Sequence, residues 1–120
     1  MASRLKALSD EKLVEKFSSI AQCLGEIVVN WLPGGAKETR RLFALEDEIR
    51  GRGREARLKL APLLHSDSRF VRYYAAQELI GLLPKECRPI IEENTREFDA
   101  IAGDARGFLR AIDEGTYKPE

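Results

Sequence analysis

A long apolar stripe at helical spacing, stopped abruptly by proline and glycine, limits most what this chain can become. Leu13, Val14, Phe17, Ile20, Ala21, Leu24, Ile27 and Val28 recur three and four residues apart, which gathers them on one side of an α-helix. Glu11, Lys12, Glu15, Lys16, Ser19, Gln22 and Glu26 fall between them and face water. Ser9 offers an oxygen to the free N–H groups of the first turn, and Asp10 and Glu11 complement its positive dipole end. Pro33-Gly34-Gly35 then breaks the pattern.

The same punctuation divides the remainder. A second helix is predicted over residues 36–50, with Leu42, Leu45 and Ile49 inward and Glu46, Asp47 and Glu48 toward solvent, closed by Gly51 and Gly53. A short third helix over residues 54–64 is interrupted at Pro62, which lacks the N–H that an α-helix needs there. A fourth, over residues 68–83, gathers Val71, Tyr74, Ala75, Leu79 and Leu82 on one side. A fifth follows Pro84, and Pro89 restricts where it can start. Residues 92–102 carry a weaker pattern, with Phe98 and Ile101 as anchors, and Gly103-Asp104 opens the last helix. Sustained two-residue alternation and Asn-Gly or Asp-Gly hairpin turns are both missing. The expectation is one all-α domain over residues 1–120, with about six helices in three stacked antiparallel hairpins.

Composition narrows the function. Apolar residues make up 43% and charged residues 33% of the chain, within the range of a chain that buries a core. Twenty basic residues balance 20 acidic ones, without the basic excess that phosphate neutralisation favours in a nucleic-acid binder. Cys23 and Cys87 have no cysteine nearby to form a metal pair, and Cys23 reads as a small core residue. The N-terminus enters polar helix rather than an apolar signal segment, so the expected address is the cytoplasm.

One stretch has a recognisable form. Leu60, Leu63-Leu64-His65-Ser66-Asp67, Val71-Arg72, Ala75-Ala76 and Leu79 resemble a HEAT repeat, in which an acidic turn residue precedes Val-Arg and small residues. Asp67 would cap the second helix of that repeat, and Ala75-Ala76 would admit a close neighbour. Three hairpins in this length give about 40 residues each, the HEAT or armadillo period. The resemblance therefore implies a right-handed α-superhelix. The whole chain also resembles the bacterial family catalogued as domain of unknown function two thousand and nineteen. That similarity rests on Glu11-Lys12-Leu13-Val14-Glu15-Lys16-Phe17, on Leu63-Leu64 through Val71-Arg72, and on Gly103-Asp104-Ala105-Arg106 through Leu109-Arg110-Ala111-Ile112-Asp113-Glu114-Gly115. It implies a compact HEAT-like fold and no assigned activity.

Catalytic constellations are hard to find. Gly51-Arg52-Gly53-Arg54-Glu55-Ala56 matches a dinucleotide fingerprint in letters, yet it follows a helix rather than a strand. His65, the single histidine, has only Asp67 close in sequence. The reading is a non-enzymatic protein-interaction or scaffold module with no cofactor and an unidentified protein partner. Its site is expected on the outward ridge of the fourth helix, at Arg69, Arg72, Tyr73 and Gln77, where Tyr and Arg suit an interface. Tyr73 reads equally as cover for the next hairpin, and Trp31, beside the Pro33 turn, reads as a core plug or an exposed anchor, with the plug favoured. An alternative is nucleic-acid binding through Arg50, Arg52, Arg54, Arg57 and Lys59, whose guanidiniums match phosphate oxygens. A homodimer through an exposed terminal apolar face is a further expectation.

Overall fold

The computed structural model describes residues 2–117 and is all-helical. Its elements are α1 (Ala2–Lys6), α2 (Asp10–Asn30), α3 (Gly35–Gly51), α4 (Arg54–Leu58), a 3-10 turn (Ala61–His65), α5 (Arg69–Leu79), α6 (Pro84–Asn94) and α7 (Ala100–Asp113). Helix α2 starts as its sequence requires: the Lys12 N–H donates to Ser9 Oγ at 3.1 Å, and Leu13, Phe17, Ile20, Ala21 and Leu24 are buried. Its end differs from expectation. Trp31 takes the left-handed conformation (φ 56°) that closes the helix. That turn carries its ring off the stripe, leaving it 86% exposed rather than in the core. Cys23 is also exposed, because it lies outside the narrow buried stripe of α2. Cys87 is buried, and both thiols are free.

Helix α3 buries Leu42, Leu45 and Ile49 against α2. Proline then acts as expected at position 62. Its missing N–H cannot bond to the Leu58 carbonyl, so the helix stops at Leu58 and the chain continues as the 3-10 turn. Helix α5 is capped by Ser68, whose Oγ accepts from the Val71 N–H at 3.3 Å. The predicted cap, Asp67, is exposed instead. Helix α6 begins at Pro84 and accommodates Pro89 on its exposed side. Asp99 caps α7, accepting from the Ala102 N–H at 3.0 Å, so this helix opens before Gly103. Phe98, expected as an anchor, is fully exposed in the link to α7, whereas Ile101 is buried.

Two helices organise the packing. Helix α5 buries Val71, Tyr73, Tyr74, Ala75, Ala76, Glu78 and Leu79, so nearly its whole circumference is covered, by α2, α6 and the 3-10 turn. Helix α2 touches α3, α5 and α7. The last hairpin therefore returns to the first, whereas hairpins in a linear stack touch only their neighbours. The Cα radius of gyration, 13.8 Å, is that of a compact chain of this length, about 13.6 Å. Among the described residues no helix is long and apolar enough to cross a membrane.

Gly25 sets the closest approach. A Cβ added there would overlap Cβ and Cγ of Phe70, so the α2–α5 crossing requires glycine. Gly107, inside α7, has nothing within 4 Å of such a Cβ. Urea denaturation should show Gly25→Ala destabilising by about 1–3 kcal/mol through overpacking. Gly107→Ala should stabilise by about 0.5–1 kcal/mol through helix propensity. Equal effects of the two changes would contradict this packing.

Candidate ligand-binding cleft

The polar residues that matter lie where the apolar stripes would place leucines. On α3, positions 42, 45, 46 and 49 share a face, so Glu46 sits half-buried beside Leu42, Leu45 and Ile49 instead of standing fully in solvent. On α5, Glu78 continues the face of Val71, Tyr74 and Ala75 and is only 3% exposed. Burying a carboxylate demands a partner. Arg50 supplies one in a two-pronged pair, its Nε and Nη2 each 2.8 Å from a Glu78 oxygen. Arg57, also buried, places Nε 3.7 Å from Glu78 Oε1 and donates from Nη2 to the Glu78 backbone carbonyl at 3.1 Å. Arg57 thus serves both the side chain and one of the last carbonyls of α5, which lack helical donors.

Around this pair opens a cleft of about 550 Å³ between α2, α3, α5 and α7. Leu24, Val28, Leu42 and Ile101 form its apolar wall, and Phe43, Tyr74, Phe108 and Tyr117 add aromatic rings. Phe108 and Tyr117 meet edge to face, with centroids 5.1 Å apart. Four carboxyl groups line it, Glu46, Asp47, Glu78 and Asp104, with Arg50 as the one cationic lining residue. Burial, with the neighbouring Glu78 charge, raises the Glu46 carboxyl to about 8. It is therefore mostly protonated at neutral pH. Desolvation lifts the phenols of Tyr73 and Tyr74 well above the ordinary tyrosine value, so both are neutral donors.

Of the ridge predicted on α5, Tyr73 is buried, and Arg69, Arg72 and Gln77 are half-buried. Tyr73 has no exposure, and its hydroxyl donates to Asp104 Oδ2. Gln77 Nε2 donates to the Tyr73 oxygen at 2.9 Å and to the same Asp104 oxygen at 3.0 Å. Arg69 is a clamp: it donates to Asn94 Oδ1 at 2.6 Å and to both Asp99 oxygens at 2.7 and 3.0 Å. Arg72 donates to the Ser66 carbonyl at 2.8 Å and to Glu93 at 3.4 Å. These side chains join α5 to α6 and α7 because α5 is surrounded. Only Gln77 also lines the cleft.

The basic run is similarly committed. Arg50 and Arg57 serve Glu78. Arg52 donates to Glu48 and Asp10, both at 2.9 Å, and to the Leu5 carbonyl that ends α1. Lys59 binds Asp10 at 2.9 Å. Within this run, Arg54 is the residue that is exposed and has no ion pair among the described residues. The Gly51–Ala56 fingerprint spans the α3–α4 corner, with no strand among the described residues. His65 is exposed, and no described His, Cys, Asp and Glu group is arranged to hold a metal ion.

No protein-family model matches the chain, and neither does any curated protein or solved structure at a significant level.

Both partners of the Glu78 cluster should matter. Glu78→Gln leaves Arg57 buried without its counter-charge and should cost about 3 kcal/mol in denaturant at pH 7. Arg50→Gln removes both hydrogen bonds to the buried Glu78 carboxylate and should cost about as much, whereas Arg54→Gln, at an exposed position outside the cluster, should change stability by no more than about 0.5 kcal/mol. A negligible cost for Glu78→Gln or Arg50→Gln would contradict the assigned roles.

Proposed function

We propose that this chain is a small, non-catalytic protein-interaction module that docks a partner segment in the cleft between α2, α3, α5 and α7. Its hairpins form a short HEAT-type stack, folded back through α7, in keeping with the resemblance to the bacterial family of unknown function. The observation that carries the reading is the cleft itself. An open volume of about 550 Å³ combines apolar walls, aromatic rings and carboxyls whose orientation is set by surrounding helices. Concave, mostly apolar sites with a few oriented polar groups are where ligands bind. Phe43, 59% exposed on α3, presents a ring at this cleft of the kind that anchors interfaces.

Nucleic-acid binding through the basic run has less support, since Arg50, Arg52, Arg57 and Lys59 are held by carboxylates or carbonyls within the chain. Selection of a random peptide library on the immobilised chain tests docking directly. Enriched peptides should bind the wild type in solution and lose at least tenfold in affinity to Phe43→Ala, an exposed change that spares the core. No enrichment over a protein-free support, or full affinity in the variant, would contradict the proposal.

A further inference from the structure

We propose that the cleft receives a lysine side chain of the docked partner, its ammonium meeting Glu46 and Asp104 and its stem lying along Leu24, Val28 and Ile101. This inference rests on the docking reading and deepens it. Charge complementarity carries it. Among the lining residues, Glu78 already holds Arg50. Glu46, Asp47 and Asp104 have no ion pair among the described residues, and no lining cation is free. Both Asp104 hydrogen bonds, from Tyr73 and Gln77, go to Oδ2, so Oδ1 is left as an open acceptor. A cavity with an apolar wall and surplus negative charge suits a long aliphatic side chain with a cationic tip.

Lysine fits better than arginine. A guanidinium favours a two-oxygen fork; Glu78 commits both its oxygens to Arg50, and Asp104 commits Oδ2 to Tyr73 and Gln77. An ammonium takes separate oxygens in three directions. Glu46 and Asp104, carried by different helices, present such separated acceptors. The aromatic rings of Phe43, Tyr74 and Phe108 add faces that attract a cation.

The site also implies a pH dependence. The charged groups acting on Glu46 are Asp47 and Arg50 on α3 and Glu78 on α5; Tyr74, Asp104 and Tyr117 line the same cleft, and Glu46 and Asp104 both act on the Tyr74 phenol. Of these, Arg50 and Glu78 are locked together. With its carboxyl raised to about 8, Glu46 must release a proton to pair with the ammonium. Affinity therefore rises with pH, by about tenfold between pH 7 and pH 9, while the lysine itself stays charged to about pH 10.

The test is an amide-resolved NMR titration of the full chain with N-acetyl-lysine-methylamide, its uncharged norleucine counterpart, and free 1,5-diaminopentane. The lysine probe should give saturable shifts at Leu42, Glu46, Gln77, Ile101 and Asp104, and the norleucine probe should bind at least tenfold more weakly. Glu46→Gln should lose about tenfold at pH 9 and flatten the pH dependence, and Asp104→Asn should weaken binding with the pH dependence retained. Equal binding of the norleucine probe, an unaffected Glu46→Gln variant, or no shifts at tens of millimolar lysine probe would overturn the assignment. A diamine binding more than tenfold tighter than the lysine probe would also overturn it, marking a site for free amines. Peptides that bind in a Phe43-dependent way without a lysine would sink this inference and leave the docking reading standing.

Discussion

The buried carboxylate of Glu78 is the interaction on which the arrangement of helices turns. Helix α5 is covered on almost every side, and an unpaired charge buried in its last turn would be strongly destabilising. Arg50 from α3 and Arg57 from α4 reach the same residue, so the first hairpin and the corner after it are held to α5 at one point. Glu46, one turn before Arg50, is thereby pressed against Glu78. It adapts by keeping its proton. The cleft follows from this cluster: α3 and α5 are fixed on one side, α7 returns along α2 on the other, and the space between them is lined by acids.

A second set of polar contacts finishes the closure. Arg69 joins the start of α5 to the end of α6 through Asn94 and to the cap of α7 through Asp99. The Tyr73–Gln77–Asp104 triangle ties the middle of α5 to α7. Asp99 does double work, neutralising Arg69 and capping the helix, and both contacts lower its carboxyl below the ordinary value. Zero net charge thus conceals an uneven distribution. Many charges cancel in pairs inside the fold, while Glu46, Asp47 and Asp104 at the cleft wall have no ion pair among the described residues.

Most helices and the cap of α2 were legible in the sequence because their signals are local; Ser68 and Asp99, which cap α5 and α7, were missed by one position and by several. Ser9, Pro62, Pro84 and the Leu42–Leu45–Ile49 spacing act within a turn or two of themselves, and each does what its chemistry requires. The site was far less legible. Arg50 and Glu78 are 28 residues apart, Arg69 and Asp99 30, and Arg52 and Asp10 42, so no local pattern announces the pairs. Arg69 and Tyr73 looked like an outward ridge because only tertiary packing decides how many sides of a helix are covered. One signal was present. Glu46 falls on the Leu42–Leu45–Ile49 face and Glu78 on the Val71–Tyr74–Ala75 face, and an acid in an apolar stripe points to a buried partner or a functional site. Trp31 followed the spacing of its stripe, but its backbone conformation, which spacing does not report, put it in solvent.

Two carboxyl groups meet at the wall of the cleft, one bound by arginines and the other held neutral at physiological pH. A carbon-13 NMR titration of the glutamate side-chain carboxyls, with Glu46 assigned by its Glu46→Gln variant, measures this most directly. The Glu46 signal should move with a midpoint near pH 8. A midpoint between about pH 4 and 5, the ordinary range for a solvated glutamate, would show that Glu46 faces water and that the cleft does not have the character described.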